Sequence, residues 1–370
     1  MRNITILVSL FLSLTGCVTQ PTKEPAQEDA AAARARAIEE KARALGREVD
    51  GQSRLYGIAY PIFKAAMDLC GEDVRPGLGY IALAEDEEME EIDRAAFRRA
   101  LGEQSQATVY SVVPDSAADR AGIRKGDILI GLDDWRIPPW NEGIEKVRER
   151  LPAKGEKLRP MRISLRRDGR LIETTLKPEK ICNYRVRNVS DDKINAWVSG
   201  DTIMVTHGMM RFAEDDDELA LVIGHELAHD IRGHFQKKRL HSILGLIIDG
   251  IFTWYGANTQ GLFTRTGNRA FADEYESEAD YIGLYIARRA DHDIDGAIGF
   301  WRRLYKESPD TTVSAEWLRF HPPSPQRFQS IKKAALEIHS KEFLAHPLNP
   351  EFESRQARIE GEWHDTGFPE

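Results

Sequence analysis

Asp215-Asp216-Asp217-Glu218-Leu219-Ala220-Leu221-Val222-Ile223-Gly224-His225-Glu226-Leu227-Ala228-His229-Asp230-Ile231-Arg232-Gly233 is the stretch on which the reading of this chain turns. Leu219, Val222, Ile223, Leu227 and Ile231 recur at helical spacing and predict one buried stripe. The aspartates at the start supply an N-cap and favourable negative charge, and Gly233 supplies a stop. On such a helix His225 and His229 sit one turn apart on a single face. Two imidazoles so placed can share one zinc ion at about 2.0–2.1 Å each. Glu226, beside them, can take a proton from the water that the metal activates. The competing reading is two unrelated histidines in a core helix.

A catalytic zinc needs a third protein ligand and one open position. Glu276-Ser277-Glu278-Ala279-Asp280 lies in a second helical pattern, predicted over 268–290, whose Tyr275, Ala279 and Ile282 form an apolar side. Glu276 and Asp280 share a face there. Glu276 is expected to bind zinc, and Asp280 to accept a hydrogen bond from the distal nitrogen of His225 and fix its tautomer. Glu278 points about 200° away and is the weaker candidate. His207, His234 and the other histidines lack ligand spacing. Five residues beyond His229, His234 is expected to rotate away from the metal face. Further helices are predicted over 294–307 and 324–343, and strands over 184–189 and 202–205.

Around this region the chain is ordinary in bulk: 370 residues, 41% hydrophobic, 30% charged. Its net charge of −9 argues against a general nucleic-acid binder, which needs a basic surface. The N-terminus reads as a targeting segment, residues 1–17, with Arg2 ahead of a short apolar run that ends in Leu14-Thr15-Gly16-Cys17. This resembles a bacterial lipobox, which implies lipidation of Cys17 and a membrane anchor. Val18, where a retained lipoprotein would have aspartate, favours the periplasmic face of the outer membrane of a Gram-negative cell. Export leaves Cys70 and Cys182 in an oxidising compartment, where an even pair predicts a disulfide; two buried thiols are the alternative.

Residues 18–50 have almost no large apolar side chains and read as a tether reaching about 50 Å if helical and about 100 Å if extended. An amphipathic helix follows within 51–70, with a possible kink at Pro61. Residues 71–181 differ, with strands predicted over 108–113, 128–132, 161–166 and 171–176. Acidic 85–93 is expected as a loop and a solvated helix face. Val113-Pro114-Asp115-Ser116-Ala117, then Ala121-Gly122-Ile123-Arg124-Lys125-Gly126-Asp127-Ile128-Leu129, resembles the middle of a bacterial PDZ domain. Gly77-Leu78-Gly79-Tyr80 resembles its carboxylate-binding loop, whose backbone N–H groups can hold a peptide C-terminus while the following strand adds a peptide strand. Residues 142–151 would be the helix flanking that groove. The long segment between Tyr80 and Thr108, and Asp133-Asp134-Trp135 in place of an Asn/Asp-Gly turn, depart from the pattern. A PDZ-shaped insert that binds no peptide is the competing reading. The apolar run 243–255 is short of the roughly 20 residues of a membrane span and reads as a core helix or a lid. Residues 345–370 read as a poorly packed tail.

Ile194-Asn195-Ala196-Trp197, Ile203-Met204-Val205-Thr206-His207-Gly208-Met209 and Asp217-Glu218-Leu219 lead into the His-Glu-Leu-Ala-His helix. With it they resemble the minigluzincin zinc peptidases of the HtpX, CAAX prenyl protease and BepA type, over about 190–335. The resemblance implies an α+β fold: a helical zincin-type protease domain over 182–344 with a small edge-strand sheet, and the mostly-β PDZ domain inserted into it. It implies one zinc per chain on His225, His229 and Glu276, with Glu226 as catalytic base. The family's His-Pro motif and later arginine map onto His321-Pro322-Pro323 and Arg327. His321 would then hold the oxyanion or, alternatively, fill zinc's open position and keep the enzyme latent. Arg327 and Asp280 would support the ligands. The family also has a helix before its first strand, a role that 55–69 fits, so a Cys70–Cys182 bridge would close the base of the insertion. Substrates would be misfolded or unassembled envelope proteins, recruited by chain ends or extended segments at the PDZ domain. A mostly latent chaperone or assembly factor and a lipid-anchored PDZ scaffold are the alternative functions.

Overall fold

The computed structural model describes residues 26–152, 157–234, 262–306, 313, 317–318 and 321–351. Cys17 and the apolar run 243–255 lie outside the described residues. Among the described residues no helix is long and apolar enough to cross a membrane.

The described chain opens with α1 (Ala26–Ala65), continuous through Pro61. Helix in the stretch 26–50 agrees with a helical tether, but the expectation that it packs on nothing needs correcting. Ala42 and Val49 are buried. Helix α2 (Glu91–Leu101) lies against this part through the pairs Arg34–Glu91, Arg99–Glu39 and Lys41–Asp93. On the α1 side this stretch is mostly alanine and long charged residues, so its sequence gives little sign of the contact. Farther along, Leu55, Ile58, Ile62, Phe63 and Ala66 enter the main core, as their helical spacing predicts.

The chain then leaves the core and returns through a two-stranded ribbon. Strand β1 (Val74–Gly77) pairs antiparallel with β8 (Glu179–Cys182), Val74 opposite Cys182. A Cys70–Cys182 disulfide clamps the ribbon's base, as the export argument predicts. Between the ribbon's strands lies a sheet in the order β2 (Tyr80–Leu83), β3 (Thr108–Val112), β4 (Ile128–Leu132), β6 (Met161–Arg167), β7 (Arg170–Leu176), with β5 (Trp135–Arg136) on β4. Helices α3 (Ala117–Arg120) and α4 (Trp140–Glu149) complete this body. It buries its own cluster, including Val109, Ile123, Leu129, Ile163 and Leu165. Glu85 lies in the expected loop before α2 but is not exposed there. It is buried and takes Arg98 Nε at 3.0 and 3.1 Å.

Glu179 ties the inserted body to the helix beneath it. Its carboxylate accepts from Tyr60 Oη at 2.8 Å, Lys64 Nζ at 2.7 Å and Arg120 Nη2 at 2.6 Å. Burial opposes its charge, but the hydrogen bonds from Lys64, Tyr60 and Arg120 outweigh this and hold its carboxyl below the ordinary range.

The rest of the chain is an α+β body. Strand β11 (Thr202–Thr206) runs parallel to β9 (Arg185–Val189) and antiparallel to β10 (Ala196–Ser199), giving the order β10-β11-β9 with β10 at the edge. Helices α5 (His207–Phe212), α6 (Asp216–Ile231), α7 (Leu262–Arg289), α8 (Ala297–Lys306) and α9 (Pro325–Phe343) follow. Residues 345–351 are better held than a loose tail. Leu348 packs on the core, and its carbonyl accepts from Arg289 Nε at 2.6 Å. Residues beyond 351 lie outside the described region.

Candidate metal centre

Helix α6 starts where its caps dictate. The Asp215 carboxylate accepts from the Glu218 N–H at 2.9 Å, and Glu218 reaches back to the Glu214 N–H at 2.8 Å. Glycine then decides how near α6 comes to α7. A Cβ on Gly224 would lie 2.8 Å from the Gly283 carbonyl oxygen, and a Cβ on Gly283 would lie 2.9 Å from the His225 nitrogen. A mid-helix glycine costs roughly 0.5–1 kcal/mol against alanine. Here the missing side chains let the two backbones touch, which sets Glu276 against His225 and His229.

His225, His229, Glu276 and His321 are buried, and their ligand atoms lie within 4.8 Å of one another. Among the described residues they form the one cluster of such side chains able to hold a metal ion. The nitrogens His225 Nε2 and His229 Nε2 are 3.1 Å apart, and His225 Nε2 is 3.2 Å from His321 Nδ1. Carboxylate oxygens of Glu276 lie 3.4 Å from His225 Nε2, 3.3 Å from His229 Nε2 and 3.0 Å from His321 Nδ1. A tetrahedron with bonds of about 2.0–2.1 Å has edges of roughly 3.3–3.4 Å. The spacing of the donors thus fits a small tetrahedral cation, and imidazole with carboxylate is a donor set that zinc accepts.

Electrostatics point the same way. Burial opposes a charge on His225, yet the hydrogen bonds to Asp280 and Glu276 push its imidazole up to about 9. Burial drives His229 well below the ordinary histidine range, against the pull of Glu276. Burial also opposes the charge of Glu276, but His321, His229 and Arg327 hold its carboxyl well down. His225 and His229 face each other through Nε2 at 3.1 Å, so these two nitrogens do not both carry a proton, and a cation between them can take its place.

Asp280 lies 2.9 Å from His225 Nδ1, as the shared face with Glu276 predicts. Arg327 grips the same carboxylate, and its Nη1 is 3.3 Å from Glu276. It is brought there by the start of α9, where Ser324 caps the Arg327 N–H at 3.3 Å and Pro325 opens the helix. Glu226 is buried beside the cluster, with Oε1 3.5 Å from His321 Nε2.

The structure therefore brings together every residue singled out for the centre: His225, Glu226, His229, Glu276, Asp280, His321 and Arg327. Other neighbours went unread in the sequence. Trp301 packs 5.2 Å from the His225 ring and Trp317 4.2 Å from the His321 ring, centroid to centroid. His234 stays off the metal face, as expected, but it is not remote from the centre: its Nδ1 is 3.0 Å from His229 Nδ1. The glycine at 233, in the left-handed region with φ +64°, was the available signal, since it folds the chain back after α6.

The segment Gly77-Leu78-Gly79-Tyr80 joins β1 to β2. Gly79 has φ +82°, and a Cβ there would meet Ser116 at 2.1 Å. Its carbonyl accepts from Val113 N at 2.8 Å, and that of Leu78 from Ala118 N at 2.8 Å. Burial raises the pKa of Tyr56 on α1. Strand β2 pairs with β3, and among the described strands nothing pairs with its other edge.

Residues 170–335 match Peptidase family M48, and residues 108–163 match the PDZ domain family. Just under half of the chain, 170–335, is therefore similar to the M48 metallopeptidases. Mitochondrial metalloendopeptidase OMA1 of Saccharomyces cerevisiae is 28% identical over 151 residues, 38% of this chain and 43% of that protein. The beta-barrel assembly-enhancing protease of Yersinia pestis is 24% identical, over 40% of this chain and 34% of that protein. Metalloprotease YcaL of Escherichia coli is 29% identical, over 40% of this chain and 61% of that protein. The chain thus spans less than two thirds of the length of each of these relatives.

Proposed function

We propose that this protein is a zinc-dependent endopeptidase of the bacterial cell envelope, acting on misfolded or unassembled proteins. The observation that carries the reading is the buried His225, His229, Glu276 and His321 cluster with donors at tetrahedral spacing and Glu226 beside it. His225, His229 and Glu276 would hold the metal. When bound, zinc supplies Lewis-acid polarisation of the scissile carbonyl and a lowered water pKa. Glu226 takes the proton of the attacking water and returns it to the leaving amine. Asp280 holds the His225 ring, and Arg327 holds Asp280. The edge of β10 offers backbone groups to an extended substrate strand, and β2 offers the same to a peptide in the PDZ groove. Lipidation at Cys17 would place the enzyme on the periplasmic face of the outer membrane.

A second reading is favoured by one observation. His321 Nδ1 lies among the ligand atoms, 3.0 Å from Glu276 and 3.2 Å from His225, so it can serve as a fourth ligand and keep the enzyme latent. The test is casein hydrolysis by residues 18–370 with zinc, with a chelator, and as Glu226→Gln. Chelator-sensitive cleavage is expected, falling about 10²–10⁴-fold in the mutant with zinc still bound. Cleavage that survives Glu226→Gln undiminished would sink the peptidase reading.

A further inference from the structure

His229 and His225 face the same cation position with Nε2, so each must carry its ring proton on Nδ1. That proton needs an acceptor. For His225 the acceptor is the Asp280 carboxylate, 2.9 Å away. For His229 the near group is another imidazole, His234, at 3.0 Å through Nδ1. An imidazole nitrogen accepts only when the proton sits on the opposite nitrogen. His234 Nε2 lies 2.9 Å from Glu278 Oε2, and a carboxylate there holds that proton in place. Glu278 is itself fixed by Arg232 Nε, 2.6 Å from Oε1.

The order of donors runs one way. His229 Nδ1–H donates to His234 Nδ1, and His234 Nε2–H donates to Glu278. We infer that Glu278 and His234 form a relay that positions His229 and strengthens it as a ligand, the counterpart of the direct Asp280 contact to His225. This inference rests on the metal-site reading above.

Several features say the arrangement is built rather than incidental. His234 is buried and Glu278 is 3% exposed. The His234 ring stacks on Tyr275, with centroids 4.7 Å apart and planes at 19°. Gly233 turns the chain sharply after α6, which returns His234 to the helix it has just left. Glu278 does point away from Glu276, as a helix demands, but the direction it takes is toward His234. The two carboxylates of one α7 turn thus serve the two histidines of α6: Asp280 directly, Glu278 through one intervening ring. His234 and Glu278 are positioning residues, since neither reaches the donor cluster.

The test measures zinc affinity of the full chain by competition with a chromogenic chelator, not activity. His234→Phe keeps the ring on Tyr275 and removes both nitrogens. It should bind zinc about 10–100-fold more weakly, the usual effect of removing a hydrogen-bond partner of a ligand. Glu278→Gln should weaken binding in the same direction by less. Affinities within twofold of wild type for both variants would overturn the relay. If His234→Phe does not fold, histidine ¹⁵N NMR of the zinc-loaded wild type reads the tautomers directly. Protonation of His234 on Nε2 is the expected result, and on Nδ1 the overturning one. A wild-type chain that takes up no zinc would overturn the metal site and the relay together, whereas zinc uptake with unaffected variants removes the relay alone.

Discussion

Arg327 and Asp280 meet side by side, Nε to Oδ2 at 2.7 Å and Nη2 to Oδ1 at 2.8 Å, with both residues buried. Burial opposes the charge of each, and each stabilises the other's: the Asp280 carboxyl is held down and the Arg327 guanidinium up. Breaking such a pair from one side leaves an uncompensated buried charge, at a cost of about 3–5 kcal/mol. Arg327→Met should lower unfolding free energy by that amount in urea titrations of the metal-free chain. A loss below about 1 kcal/mol would show that Asp280 finds another partner.

Gly283→Ala tests the contact between α6 and α7. The added methyl would press on the His225 backbone, so something must shift. Overpacking of this kind costs typically 1–3 kcal/mol. Because the shift separates Glu276 from the histidines, zinc affinity should fall together with the melting temperature. Gly299→Ala, inside α8 where a Cβ meets nothing within 4 Å, is the control: it should leave zinc affinity unchanged and should not lower the melting temperature.

His321→Ala separates the two roles open to that residue. With Nδ1 among the donors, its removal should raise casein cleavage severalfold while zinc stays bound to His225, His229 and Glu276. A fall in turnover with unchanged substrate affinity would instead assign His321 to the oxyanion.

Acid should loosen the inserted body from α1. The folded-state pKa of Glu179 lies below its unfolded value, so its contribution to stability is present above the ordinary carboxylate range and lost as pH falls through the folded value. Thermal melts of wild type and Glu179→Gln should differ at neutral pH, and the difference should shrink as pH falls below the ordinary carboxylate range. A difference that does not shrink on acidification would contradict this assignment.

Much of the centre could be read from spacing alone, because i and i+4 on a helix fix a shared face. That places His225 with His229, and Glu276 with Asp280, before any packing is known. The helix and strand periods near them are strong for the same reason. What escaped notice depends on how elements approach each other. Little in 18–50 distinguishes a solvated helix from one laid along α2, since the stretch is mostly alanine and charged residues and the partners of its ion pairs are far off in sequence. His234 looks misplaced on an ideal helix, and only the turn at Gly233 makes it a neighbour of His229. Gly224 and Gly283 are poor helix residues in isolation, and their use becomes clear only when the two backbones meet.

Cys70 and Cys182 have Cα atoms 5.8 Å apart although 112 positions separate them in the chain. During synthesis α1 emerges long before the strands and helices that cover its apolar face. The intervening body has a hydrophobic cluster drawn wholly from its own residues, so it can collapse first. Once folded, it delivers the returning chain to the place where it left, and a wide loop becomes a narrow one. The entropy of closing that loop is then met by the insert's own folding rather than by the peptidase core. In this view the inserted body also acts as a template in time, holding two distant stretches of one enzyme together until they can pack.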